Sequence, residues 1–205
     1  MRTIDFFFDV VSPYTFLAFE HQPEALAGIS YQMRYRPVLF AGLLKAVGNR
    51  GPAEMELKRA WMHRQIGWLA SHHGVPLQWP AVHPFNPLAL LRLSLACTPA
   101  GCLPNRRVVE AVLRHVWQAG GADPNDPDRL AELQARLQPQ RDPSDPLLKD
   151  ELRRHTEAAL AAGVFGVPSW CLAEPATGAL APPLWGLESL PMLREALQAE
   201  PSSLA

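Results

Sequence analysis

The chain opens with an apolar, aromatic run, TIDFFFD (3–9), that reads as a buried strand. It breaks at Ser12-Pro13, where Ser12 can cap a helix and Pro13 suits its first turn. The spacing of Phe16, Leu17 and Phe19 carries that helix towards Gly28. In SYQMRYR (30–36), Tyr31, Met33 and Tyr35 alternate onto one face, the period-two pattern of a second strand. Strand, helix and strand within 36 residues predict a parallel βαβ unit.

After Pro37 the period changes. Residues 38–47 predict a short helix ended by Gly48, and 54–73 a longer one with Met55, Trp61, Met62, Ile66 and Leu69 at near-helical spacing. Further helices are predicted over 86–97, 104–119, 127–137 and 146–162. Pro87, Pro104, Pro127 and Pro146 stand near their starts, where a missing N–H costs least. At Gly163 strand character returns: GVFGVPSWCLA (163–173) predicts a loop and a strand, PATG (175–178) a turn, and LAPPLWG (180–186) a return strand weakened by Pro182 and Pro183. Residues 189–199 close the chain with a helix bearing Leu190, Leu193 and Leu197. The expected fold is α/β: a small sheet domain from residues 1–44 and 160–205, interrupted by an all-helical insertion over 45–159.

Composition excludes several classes. A net charge of −1 gives no electrostatic reason to expect nucleic acid or an anionic membrane as partner. No apolar run is long enough to span a bilayer, and Asp5 and Asp9 interrupt the N-terminal apolar stretch, unlike a secretory signal. Three cysteines, Cys97, Cys102 and Cys171, show no disulfide pattern and suit a reducing cytoplasm. The seven histidines show no metal-ligand spacing, so no metal is expected; His72-His73 reads as a helix end before Gly74.

Four stretches together resemble a known family: FFFDVVSPYTFLA (6–18), YRPVLFAGLLKAVGNRGPAE (35–54), HPFNPLALLRL (83–93) and VFGVPSW (164–170). They are similar to the DsbA-like branch of the thioredoxin fold that contains 2-hydroxychromene-2-carboxylate isomerases and kappa-class glutathione transferases. The resemblance spans nearly the whole chain and implies a thioredoxin-like domain with a large helical insertion, glutathione as cofactor, a cytoplasmic location and a homodimer.

The chemistry expected of the site centres on Ser12, which stands where thioredoxin-like relatives keep a reactive cysteine. A serine hydroxyl is too weak an acid to act as a free nucleophile, and no Gly-x-Ser-x-Gly motif or readable triad accompanies it. At a helix N-terminus it can instead donate a hydrogen bond to an anion, aided by the helix N–H groups. A glutathione thiolate gains most from such a site, because selective stabilisation of the anion lowers its pKa. Alone, Ser12 reads as a helix cap; beside VFGVPSW the thiolate reading is preferred.

The resemblance implies a cis Val167–Pro168 bond that exposes the Val167 backbone to a peptide-like ligand. It places Asn49, in GNRGP, near cofactor or substrate groups, and Lys45 is a further candidate for an anionic substrate. Near the last helix, relatives carry Trp/Phe-Gly-x-Asp-Arg, whose acidic residue and neighbour hold the glutamyl end of glutathione. Here Trp185-Gly186-Leu187-Glu188-Ser189 departs from that pattern: Glu188 keeps the charge and Ser189 replaces the basic residue. The implied reaction is cis/trans isomerisation of 2-hydroxychromene-2-carboxylate or a related aromatic enone acid by reversible thiolate addition. A kappa-like glutathione transferase or peroxidase, and a noncatalytic thiol-binding module, remain open.

Overall fold

The computed structural model describes residues 1–174 and 176–199. Its sheet has four strands: β1 (Arg2–Phe8), β2 (Tyr31–Pro37), β3 (Ser169–Ala173) and β4 (Leu184–Trp185). They lie in the order β2-β1-β3-β4. β1 and β2 are parallel, with Phe6 opposite Tyr35. β1 and β3 are antiparallel, with Phe6 opposite Trp170, so both ends of the chain share one sheet as expected.

Eight α-helices accompany the strands among the described residues: α1 (Pro13–Ala25), α2 (Phe40–Ala46), α3 (Glu56–His72), α4 (Leu88–Ala96), α5 (Arg106–Trp117), α6 (Pro127–Leu137), α7 (Pro146–Ala161) and α8 (Leu190–Gln198). Several starts follow from local chemistry. Asn105 accepts a hydrogen bond from Val108 N, Asp126 from Arg129 N and Asp145 from Leu147 N, each satisfying a first-turn N–H. Pro127 and Pro146 occupy first-turn positions as expected. Gly74, at φ +63°, follows the His72-His73 end of α3.

The alternation of β1 divides the core. Ile4, Phe6 and Phe8 face a large apolar cluster shared with Phe16 and Phe19 of α1. The same cluster holds insertion residues Leu90, Leu91, Val109, Val112 and Leu152. Phe7 and Cys171 face a smaller cluster with Val38, Leu43, Ala159 and Val164. α1 is buried around most of its girth (Phe16, Leu17, Ala18 and Phe19 are all inaccessible), because the sheet covers one side and the insertion the other. On the second face Asp5 is buried and paired with the guanidinium groups of both Arg34 and Arg36, which offsets the desolvation of its carboxylate. Cys171 lies opposite Asp5 in the register. Burial, then that carboxylate, pushes its thiol up to about 12, so it is inert at neutral pH.

Two expectations change. The return strand over 180–186 contracts to Leu184–Trp185, with an isolated bridge between Ala173 and Leu180. Pro182 and Pro183 have no N–H to give a ladder, which limits pairing at this edge. Of the predicted turn 175–178, Pro175 lies outside the described residues. In α3 the buried positions are Met62, Ile66 and Ala70. Trp61, counted on sequence with the apolar face, is 58% exposed. Adjacent residues on a helix point about 100° apart, and α3 buries only the stripe of Met62, Ile66 and Ala70, so Trp61 lies outside it.

Candidate active site

The junction of β1 and α1 opens into a cavity of about 310 Å³ lined by Ser12, Val167 and Trp185, by Phe40 and Leu44 of α2, and by the 51–54 loop; Asp9, Tyr14, Met62 and the 83–87 loop complete its wall. Ser12 is 5% exposed, and its Oγ accepts a hydrogen bond from Thr15 N at 3.2 Å. It is therefore the cap of α1. Capping uses a lone pair of Oγ and leaves the hydroxyl proton free to be donated into the cavity. Pro13 has no N–H and that of Thr15 is used, so the Tyr14 N–H is the first-turn donor left for an anion.

The Val167–Pro168 bond is cis, as the resemblance implies. Pro168 O accepts from Gly186 N at 3.0 Å, which joins this loop to the start of the 3-10 turn before α8. The N–H and C=O of Val167 have no partner among the described residues, so both are available to an extended peptide lying along the cavity.

Asp9 sits below this floor with no exposed surface. Its carboxylate accepts from Val11 N at 3.0 Å and from Phe40 N at 2.8 Å. Burial pushes its pKa up to about 7 against the opposing pull of these backbone donors. Tyr14 donates its hydroxyl to Gln65 Oε1 at 2.7 Å. Burial, and then the charge of Glu188, raises the Tyr14 pKa above its ordinary value.

The other sequence-derived residues divide by position. Glu188 is exposed in the Leu187–Ser189 3-10 turn, and its carboxylate folds back over Gly186, where an added Cβ would lie 2.6 Å from it. Glu188 borders a second hollow shared with His21, Gln65, His73 and Arg194. Ser189 is buried and donates its hydroxyl to Gly186 O at 2.8 Å, closing the turn. Lys45 and Asn49 are exposed on and just after the last turn of α2, outside the residues that line the main cavity. Asn49 Oδ1 accepts from Arg50 N at 2.8 Å.

Asp9, Tyr14, His83 and Trp185 are among the cavity residues that carry no site role in the sequence reading. Asp9 leaves a trace in the sequence, an acid embedded in the apolar run FFFDVV three residues before the Ser-Pro turn. His83 and Trp185 stand in stretches compared with the family, HPFNPLALLRL and Trp185-Gly186-Leu187-Glu188-Ser189, but nothing local marks either as a cavity residue, because each reaches the cavity from a distant segment.

Comparison with known proteins identifies the domain family and the fold. Residues 3–198 match the family described as the DSBA-like thioredoxin domain. Glutathione S-transferase kappa 1 of Homo sapiens is 26% identical over 82% of this chain and 79% of its own. The 2-hydroxychromene-2-carboxylate isomerase of Sphingobium xenophagum is 28% identical over 82% of this chain and 87% of its own. A solved 2-hydroxychromene-2-carboxylate isomerase structure superposes with a TM-score of 0.79 at 23% identity, covering 96% of this chain and 94% of that one, and shows the shared fold.

Proposed function

The chain belongs to the DsbA-like thioredoxin domain family, and on that premise we propose that it is a glutathione-dependent isomerase of 2-hydroxychromene-2-carboxylate or a related aromatic enone acid. The observation that carries the reading is Ser12: a capping hydroxyl with a proton to donate, on the wall of the same cavity as the unpaired backbone of Val167. The donor set fits a peptide-like thiol. When bound, glutathione would supply a thiolate that adds reversibly to a conjugated enone and turns its double bond into a rotatable single bond.

The chain's own residues have separable tasks in this proposal. Ser12 Oγ–H and Tyr14 N–H hold the sulfur as an anion. Val167 beside Pro168 aligns the peptide as an added strand would. Glu188 meets the glutamyl amine, and buried Ser189 fixes the turn that presents Glu188. The apolar walls from Phe40, Leu44 and Trp185 exclude water around the reacting carbons. Lys45 and Asn49 are proposed to assist capture of the substrate anion from their exposed positions; a raised KM with unchanged kcat in Lys45→Ala and Asn49→Ala is the expected sign.

Relatives carry both names, isomerase and kappa transferase, and kappa-type transfer to an electrophile bearing a leaving group is the second reading of the same site. Product analysis with an enone acid and a halogenated aromatic separates them. A cytoplasmic homodimer belongs to the same proposal. Leu57, Trp61 and Trp68, all exposed on α3, are apolar surface suited to a subunit contact, and sedimentation at micromolar concentration tests it. Among the described residues no helix is long and apolar enough to cross a membrane.

The central experiment is Ser12→Ala. Loss of one charge-assisted hydrogen bond costs about 1.5–3 kcal/mol, or about one to two units in the pKa of the bound thiol. The thiolate ultraviolet absorbance of the glutathione complex, titrated in both proteins, is expected to shift upward by that amount, with slower isomerisation near neutral pH. Coincident titrations with unchanged turnover reduce Ser12 to a helix cap and refute the proposal.

A further inference from the structure

The four residues before α1 are held both by one another and by groups far away in the chain. Asp9 O accepts from Ser12 N at 3.2 Å, and Asp9 Oδ1 from Val11 N at 3.0 Å. Trp117 of α5 donates its indole Nε1–H to Val10 O at 2.9 Å. His83 Nε2 lies 2.9 Å from Val11 O. A carbonyl oxygen only accepts, so His83 Nε2 carries the proton and Nδ1 carries the lone pair. Nδ1 is buried and has no partner. Protonating it would place an unpaired N–H in an apolar box made by Trp79 and Trp117, whose ring centroids are 5.2 and 5.6 Å from the imidazole. Burial lowers the His83 pKa in the same sense, and the ring stays neutral near neutral pH.

We propose that His83 is a positioning residue for Ser12: its Nε2–H fixes the Val11–Ser12 peptide, so that the helical insertion sets the cap geometry on which the anion site depends. The physical chain is short. Val11 O belongs to the peptide whose nitrogen is Ser12 N. Holding that oxygen restrains ψ of Val11 and φ of Ser12, which is −90° here. That φ aims Oγ at Thr15 N and leaves its proton for the cavity. Val10 is held in parallel by Trp117, so loss of the His83 donor is expected to loosen the Ser12 peptide while the preceding residue stays anchored.

This inference deepens the proposed role of Ser12 but is testable without glutathione. In Ser12→Cys, the introduced thiol occupies the cap position, and the N–H groups of α1 lower its pKa only while the cap geometry holds. Its alkylation rate against pH is measured alone and combined with His83→Phe, which keeps an aromatic ring and removes the donor, or His83→Gln, which keeps a donor. The expected result is a thiol pKa raised by about half to one unit with His83→Phe and largely restored with His83→Gln. Identical titrations with and without His83→Phe overturn the proposal, as do equal shifts for Phe and Gln, which would reflect packing alone. Thermal unfolding of each protein establishes that folded chains are compared. A wild-type protein that fails to bind glutathione would refute the proposed function and leave this result standing.

Discussion

Phe40 donates its backbone N–H to Asp9 Oδ2 at 2.8 Å, which ties the loop before Ser12 to the first residue of α2. The residue preceding α2, Leu39, offers no side-chain cap. A buried acid from another segment supplies one instead, and the same carboxylate holds Val11 N. The floor and one wall of the cavity are thereby joined through a single side chain.

Stability is expected to depend on Asp9 over a defined pH window. An unfolded aspartate ionises near 3.8, whereas the folded group keeps its proton to about 7. Between those values the folded chain holds one proton more than the unfolded chain, so this group's contribution to stability falls as pH rises. Asp9→Asn removes the titration but faces one of the two backbone donors with an NH₂ group, so it is less stable at low pH. The gap between wild type and variant, read from urea unfolding, should narrow from pH 4 to pH 7. Parallel pH profiles would show that another group titrates.

Gly166 is required by Trp185. A Cβ at residue 166 would lie 2.6 Å from the indole Nε1, so Gly166→Ala forces the ring at the cavity mouth to move. Trp185 is 49% exposed and has room to yield, so the expected loss is about 1 kcal/mol together with reduced turnover. Trp185→Ala in the same chain removes the clash. A double-mutant cycle should show coupling, and additive effects would count against the contact.

Asp5 is expected to matter for stability and not for chemistry. It is buried between Arg34 and Arg36 on the sheet face away from α1. Asp5→Ala leaves two cations against an apolar layer and should cost about 3–5 kcal/mol in denaturant unfolding. Residual folded protein should bind glutathione as the wild type is proposed to do.

Ser12→Cys offers a direct chemical check of the proposed glutathione site. With oxidised glutathione, the new thiolate attacks one sulfur of the disulfide, forms a mixed disulfide and releases one glutathione thiolate. Intact mass should show a single adduct that a reductant removes. Wild type, whose Cys97 and Cys171 are buried, controls for reaction at exposed Cys102.

Much of the fold was legible in the order of residues because its marks are local. The shift from period two to period 3.6 after Pro37, the prolines at the starts of α6 and α7, and Ser12 before Pro13 act within one or two turns of the chain. The candidate site was legible in part for the same reason: Ser12 and Val167-Pro168 sit in short patterns that announce a turn and a loop. What tertiary structure alone decided lies between segments far apart in sequence. The face of α3 that turns inward depends on which helix packs against it, so Trp61 and Met62 could not be sorted from spacing alone. β4 was cut to two residues by prolines whose effect depends on which partner offers a ladder. Asp9 became a cap for α2, and His83 and Trp117 became anchors for the Ser12 loop, through hydrogen bonds spanning 31, 72 and 107 residues. Backbone propensity acts over a few neighbours, whereas these bonds join segments that only the packed fold brings together, where a buried carbonyl or N–H must find whatever partner the fold brings to it.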